Sequence, residues 1–252
     1  MFIVNDPQQR VRLAHKKLKE VLIQNYRDLS VDANQAKLLA GIPRDLQPKN
    51  FKKEVYKEGL FTADWFSHNI PQLYLGLKKA DRKFADYLEI GSFEGLSTCW
   101  MARLLEMHSE KSSITSIDFF GDKGKHGDYS SRFDKNIANF IKNIEVTKIQ
   151  SHSAPALVDL GQKKKEFDLV YVDGSHHALD VIVDASICWK MLRDMGVIVF
   201  DDYFWFEDKN SKNVLHAVNA FLNLIEGEYK VLNVYHQVVL QKLQTSLPVN
   251  VF

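Results

Sequence analysis

Apolar positions recur along this chain with two different periods. Up to about residue 60 they fall at helical spacing (Val11, Leu13, Leu18, Val21, Leu22), ahead of a loop bearing Pro43, Pro48 and Lys52-Lys53. Phe61 to Lys79 reads as a further helical stretch, with Thr62 as its N-cap and Trp65, Phe66, Ile70, Leu73 and Leu77 as its apolar face. Pro71 inside that stretch predicts a break or kink. From Phe84 onward the period changes, and short continuous apolar runs alternate with longer helical patterns. Strands are predicted at Tyr87 to Ile90, Ile114 to Ile117, Val146 to Ile149, Asp168 to Val172 and Val197 to Phe200. Helices are predicted through Met107, around Phe133 to Ile141, from Ala178 to Leu192 and from Asn213 to Ile225.

Continuous apolar strands alternating with helices are the pattern of a parallel sheet covered on both faces. The end of the chain breaks the alternation. Lys230 to Val234 and Val238 to Leu243 are joined only by Tyr235-His236-Gln237, too short a link for a parallel crossover, so they form an antiparallel hairpin. The expectation is an α/β, Rossmann-like, doubly wound sheet of seven strands, mostly parallel with a reversed C-terminal strand. Residues 1–60 form a helical extension to a main domain at residues 61–252.

Composition removes several function classes. A formal charge of +1 over 252 residues gives no bulk attraction to nucleic acid or to an anionic membrane. The basic runs His15-Lys16-Lys17 and Lys163-Lys164-Lys165 read as solvated faces. No apolar run approaches the ~20 residues of a membrane-spanning helix, and Met1 to Pro7 turns polar too early for a signal peptide. Cys99 and Cys188 lie in amphipathic helical stretches as half-buried thiols outside any C-x-x-C arrangement, which fits a reducing, cytoplasmic setting.

Chemistry concentrates at strand ends. The first strand runs into Glu89-Ile90-Gly91-Ser92-Phe93-Glu94-Gly95-Leu96-Ser97 and then a helix. Glycines at such a turn let a ligand approach backbone, and the helix N-terminus offers free N–H groups. A dinucleotide fingerprint would need glycine at position 93; phenylalanine there favours a ligand without pyrophosphate. Asp118 at the tip of the second strand is placed either for ribose hydroxyls or as a turn cap. Asp173 and Asp201 end the fourth and fifth strands 28 positions apart, the length of one helical crossover, and Asp202 follows directly. Three converging carboxylates repel one another unless protons or a cation compensate. Hard oxygen ligands suit Mg²⁺, Mn²⁺ or Ca²⁺ better than zinc; the alternative has the aspartates capping loops and helices.

Taken together these motifs, spanning about Phe61 to Leu243, resemble the class I S-adenosylmethionine (SAM)-dependent methyltransferases. The similarity is to their metal-dependent O-methyltransferase branch, and to a broad bacterial group pairing Glu-Ile-Gly-Ser-x-x-Gly-x-Ser with Asp-Gly-Ser-His and Asp-Asp-Tyr. The resemblance implies that Glu89, Gly91, Gly95 and Ser97 hold the methionine part of SAM, that Asp118 binds its ribose, and that Ser153 contacts adenine, with Ser151 close by. It also implies that Asp173, Asp201 and Asp202 bind the cation, Asp202 standing where several relatives have asparagine. His176 occupies the position of the branch's usual lysine base. A histidine titrating near neutrality is a candidate general base there, while capping or cation coordination by His176 or His177 stays open.

Two segments could close the site, the polar loop Phe120 to Asp128 and the aromatic run Tyr203-Phe204-Trp205-Phe206, which reads equally as a wall of the acceptor pocket or as ordinary core or an oligomer contact. The function expected is cation-assisted O-methylation of a small hydroxylated metabolite or sugar. The N-terminal extension is expected to cover the acceptor site or build a homo-oligomer interface. Competing expectations are a metal-independent methyltransferase acting on nitrogen, carbon or protein, and a non-catalytic SAM-fold binding protein.

Overall fold

In the computed structural model, residues 16–29, 32–121, 126–205 and 212–244 are described. Helices α1 (Lys16–Leu29), α2 (Asp32–Ala40), α3 (Pro48–Glu58) and α4 (Ile70–Lys79) precede the first strand. Then follow β1 (Asp86–Ile90), α5 (Leu96–His108), β2 (Ser113–Asp118), α6 (Tyr129–Phe140), β3 (Glu145–Gln150) and α7 (Ser153–Gln162). The chain continues through β4 (Phe167–Val172), α8 (Ala178–Met191), β5 (Leu192–Phe200), α9 (Val214–Leu224), β6 (Tyr229–Val234) and β7 (Val238–Lys242).

The strands make one seven-stranded sheet in the order β3-β2-β1-β4-β5-β7-β6. β1 to β5 pair in parallel and β7 runs antiparallel to both β5 and β6. Strand period decides which layer each side chain joins. Along β4, Val170 and Val172 enter a core with α1, α7, α8 and α9, while Leu169 and Tyr171 enter a second core with α3, α4 and α5. Every residue of β4 is buried, which is why Leu169 to Val172 read as an unbroken apolar run, while the one acid, Asp168, is paired with Arg82 and Arg193. The direction of winding reverses between β1 and β4, where open sheets of this kind hold ligands.

Several expectations need correction. Phe61 to Lys79 is not one kinked helix. Residues 61–66 form a loop and α4 begins at Ile70, so Pro71 sits in the first turn, where its missing N–H costs nothing. Thr62 caps no helix; its backbone N–H and hydroxyl both donate to the Glu94 carboxylate, at 2.6 and 2.7 Å. Pro48 likewise opens a helix, α3, and Lys52-Lys53 lie on its solvent face opposite Phe51 and Val55 instead of in a loop. α7 went unread, being a short helix with Pro155 in its first turn. Cys99 and Cys188 are fully buried, and burial raises both thiol pKa values, so they act as small core hydrophobes.

Packing runs without a break across residue 60. Leu18 and Leu22 of α1 belong to the core of the sheet, and the Asn25 amide donates to Asn233 Oδ1 and to the Val234 carbonyl, which covers the β6 edge. Among the described residues no helix is long and apolar enough to cross a membrane. Val11, Leu13 and the start of the chain lie outside the described residues.

Candidate active site

The strand ends are tied into one edge by backbone hydrogen bonds. Gly91 N–H donates to the Ile117 carbonyl (2.8 Å), Asp173 N–H to Ile90 (2.9 Å), Asp201 N–H to Val172 (3.0 Å) and Ser151 N–H to Asp118 (3.0 Å). The loops after β1, β2, β3, β4 and β5 therefore line a single crevice. Gly91 makes that closeness possible. Its φ is +87°, and a Cβ there would fall 1.7 Å from the Asp173 carbonyl oxygen.

Beside it lies the seat expected for a nucleoside. Gly95, at φ +81°, precedes α5, whose free N–H groups face the crevice. Phe93 and Phe120 are held in left-handed conformations that non-glycine residues rarely adopt (φ +45° and +46°). One carboxylate holds both: Asp118 accepts the Phe93 N–H on Oδ2 and the Phe120 N–H on Oδ1, each at 2.9 Å, with the Tyr129 hydroxyl at 3.2 Å. Trp65 stacks on Phe93 at 4.9 Å while staying 58% exposed, and His126 meets both rings edge-on at 5.4 Å. Glu89 is wholly buried, among the hydroxyls of Tyr87, Ser97, Thr98 and Ser116; burial raises its pKa. Ser153 opens α7 and its hydroxyl bonds to Asp184 of α8.

At the ends of β4 and β5 the acids meet. Burial drives the Asp173 pKa well up, and the charges of Asp201, Asp202, Glu89 and Asp118 add to it. Asp201 is pushed up to about 6, by burial and then by Asp202. Among the described residues only His176 forms an ion pair with any of the three, its Nε2 standing 2.8 Å from Asp202 Oδ2. Asp173, His176 and Asp202 can each bring one ligand atom within 4.8 Å of the others. Repelling carboxylates beside an imidazole, with no lysine or arginine paired to them among the described residues, fit a divalent cation.

Asp201 faces elsewhere. Its carboxylate accepts from Asn69 Nδ2 (3.1 Å), Gln237 Nε2 (3.1 Å), the Tyr171 hydroxyl and the Asp202 N–H (2.8 Å). His177 precedes α8 and is exposed. The aromatic run divides: Tyr203 is core, bonded to Asn219, whereas Trp205 packs on the His176 ring at 4.3 Å. Phe206 and residues 122–125 of the proposed closing loop lie outside the described residues.

Residues 88–203 match a family model described as a methyltransferase domain, on a sheet wound in the order given above. Over that stretch the chain is similar to methyltransferases. It is similar to uncharacterized protein R132 of Acanthamoeba polyphaga mimivirus, 28% identical over 184 residues, covering 71% of this chain and 77% of that protein. Among solved structures, the O-methyltransferase from Bacillus cereus in complex with SAH shares the fold at 16% identity and a TM-score of 0.52, over 90% of this chain and all of that one. MycE methyltransferase from the mycinamycin pathway, in complex with Mg, SAH and mycinamycin VI, does so at 15% identity and 0.52, over 83% and 58%.

Sequence reasoning missed the residues that approach the crevice from outside the strand ends. Asn69, Tyr171 and Gln237 carry no motif, and they meet at Asp201 only once α4, β4 and the C-terminal hairpin are in place. Trp65 reads as an apolar helix position, and nothing in the sequence marks the stack it makes on Phe93. A lone buried-type glutamine in the hairpin turn, Gln237 between two apolar strands, was the one visible irregularity.

Proposed function

We propose that this protein is a methyltransferase that transfers the methyl group of SAM to a hydroxyl of a small polyhydroxylated acceptor, such as a sugar, with a divalent cation held at the ends of β4 and β5. The observation that carries the reading is the juxtaposition, on one sheet edge, of the Gly91–Gly95 turn with Asp118 and the group Asp173, His176 and Asp202. SAM held in the first seat would supply an activated methyl group to an acceptor held at the second. The S–CH₃ bond breaks as the O–CH₃ bond forms, and the hydroxyl proton passes to a basic atom of the acid–imidazole group.

Gly91, Gly95 and the first turn of α5 receive the methionine end, with Ser97 and Glu89 beneath it. Asp118 exchanges its two backbone donors for ribose hydroxyls, and Ser153 stands at the adenine end. Because the methyl donor is already activated, the protein's work is alignment and exclusion of water. When bound, a cation lowers the pKa of an acceptor hydroxyl and fixes its position. Trp205 beside His176 offers an apolar face for the C–H side of a sugar ring.

The test is transfer of labelled methyl from SAM to a panel of sugars, sugar nucleotides and catechols. EDTA should abolish transfer and Mg²⁺ or Mn²⁺ restore it, and Asp173→Asn should reduce it on the order of 10²-fold. Transfer indifferent to EDTA would refute the cation's role, and failure of calorimetry to detect SAM binding would refute the cofactor.

A further inference from the structure

We infer that the protein ligands of the cation in this chain are Asp173, His176 and Asp202, an oxygen–nitrogen–oxygen set, and that Asp201 supports them without touching the ion. The inference rests on the cation-assisted reading above and goes beyond it in choosing the donors. It reassigns Asp201, which the resemblance places among the ligands, and it makes His176 a ligand in place of a base.

Three observations converge. The first is reach: one ligand atom from each of Asp173, His176 and Asp202 lies within 4.8 Å of the other two, so a single ion can touch all three. The second is the occupancy of Asp201. It is 5% exposed, and donors from Asn69, Tyr171, Gln237 and the Asp202 backbone cover both its oxygens. Each donor is uncharged, and each sits on a different element, so turning the carboxylate outward would break four hydrogen bonds in a buried setting. By contrast, no hydrogen bond from a described donor reaches the Asp173 carboxylate.

The third observation is backbone direction. Asp202 adopts φ +53°, a left-handed conformation immediately after an extended strand, so the side chains of residues 201 and 202 part. Asp201 goes down among Asn69 and Gln237; Asp202 goes out to His176. Trp205 packs against the imidazole and fixes its plane, and the Trp205 N–H donates to the Asp202 carbonyl at 2.9 Å, which ties the ring's support to the same turn.

An imidazole in the set changes which ion is preferred. Mg²⁺ favours oxygen donors, whereas Mn²⁺ and the later divalent metals accept nitrogen readily. The acceptor's proton then leaves to a carboxylate oxygen of the group, because a metal-bound nitrogen has no lone pair to offer.

The protein, stripped with EDTA, should bind Mn²⁺ more tightly than Mg²⁺ by calorimetry. The spin-echo spectrum of bound Mn²⁺ should show modulation from a coordinated imidazole nitrogen. His176→Ala should remove that modulation and weaken Mn²⁺ about 10–100-fold, while Asp201→Asn, checked for an unchanged circular dichroism spectrum, should keep it. Should Asp201→Asn fail to fold, the nitrogen modulation of the unaltered chain, with His176→Ala as control, decides the matter. Mn²⁺ bound without nitrogen modulation overturns the donor set and leaves cation assistance standing. So does Asp201→Asn losing the ion as completely as Asp202→Asn in a folded protein. No binding of Mn²⁺ or Mg²⁺, with or without SAM, overturns both.

Discussion

At the scale of single residues, Gly91 and Asp184 show two ways in which the site region is constrained. A methyl group on Gly91 would collide with the Asp173 carbonyl, and the φ of +87° is itself unfavourable for alanine. Gly91→Ala should therefore destabilise the fold by roughly 2–4 kcal/mol and abolish SAM binding, measured by urea unfolding and calorimetry. Asp184 is buried between α7 and α8 with Oδ1 unpartnered among the described residues, and burial raises its pKa from 3.8 to about 6. The native state thus holds this proton between about pH 4 and 6 while the unfolded chain has released it, so stability falls as pH rises through that window. Asp184→Asn removes the penalty. It should be more stable than the parent at pH 7.5 by up to ~3 kcal/mol, a difference that vanishes near pH 4 in denaturant titrations. Legibility differs sharply between such residues. Gly91 announces itself, because glycine at the end of an apolar run has few other uses. The acids at the strand tips were legible too. The partners that decide what each acid does were not, since a hydrogen bond between Asn69 and Asp201 spans 132 positions and leaves no local pattern.

At the scale of elements, two turns depend on carboxylates that accept backbone or arginine donors. Asp118 holds the Phe93 and Phe120 turns, both strained, so Asp118→Ala should let them relax and weaken SAM binding at least tenfold by calorimetry. Asp118→Asn, which keeps one acceptor oxygen, should fall between. Glu94 joins three segments: it takes the Thr62 N–H and hydroxyl from the loop before α4 and the Arg132 guanidinium from α6, while Arg132 also reaches the His126 carbonyl. Glu94→Ala should cost about 1–3 kcal/mol and speed proteolytic cleavage within residues 60–66 and at the end of the loop before α6, with strands β1 to β5 still protected. β4 and the second half of β5 were readable from their apolar runs because burial on both faces leaves no alternation to confuse, whereas the edge strand β3 is polar and alternates. Helices opening on proline were not, because Pro48, Pro71 and Pro155 look like breaks until the first-turn position of each is known.

At the scale of the whole molecule, the doubly wound sheet explains why chemistry gathers where it does. Parallel strands put all their C-terminal ends on one side, and the reversal between β1 and β4 opens the crevice there. The antiparallel hairpin at the other end contributes to the same crevice through the link between its strands, where Gln237 turns inward and the His236 carbonyl accepts the Tyr203 N–H at 2.9 Å. His236 also meets His68 across the crevice at 6.0 Å. Fold class and the C-terminal hairpin could be read from periodicity; the involvement of the hairpin link could not, since three polar residues between strands look like any tight connection.

The donors on Asp201 have a practical corollary for anyone trimming the gene. Two of the four come from Asn69 and Gln237, on either side of the stretch that matches the family model, residues 88–203. A shortened clone covering that stretch alone would retain every signature residue and still strand a charge inside the protein with half its support cut away.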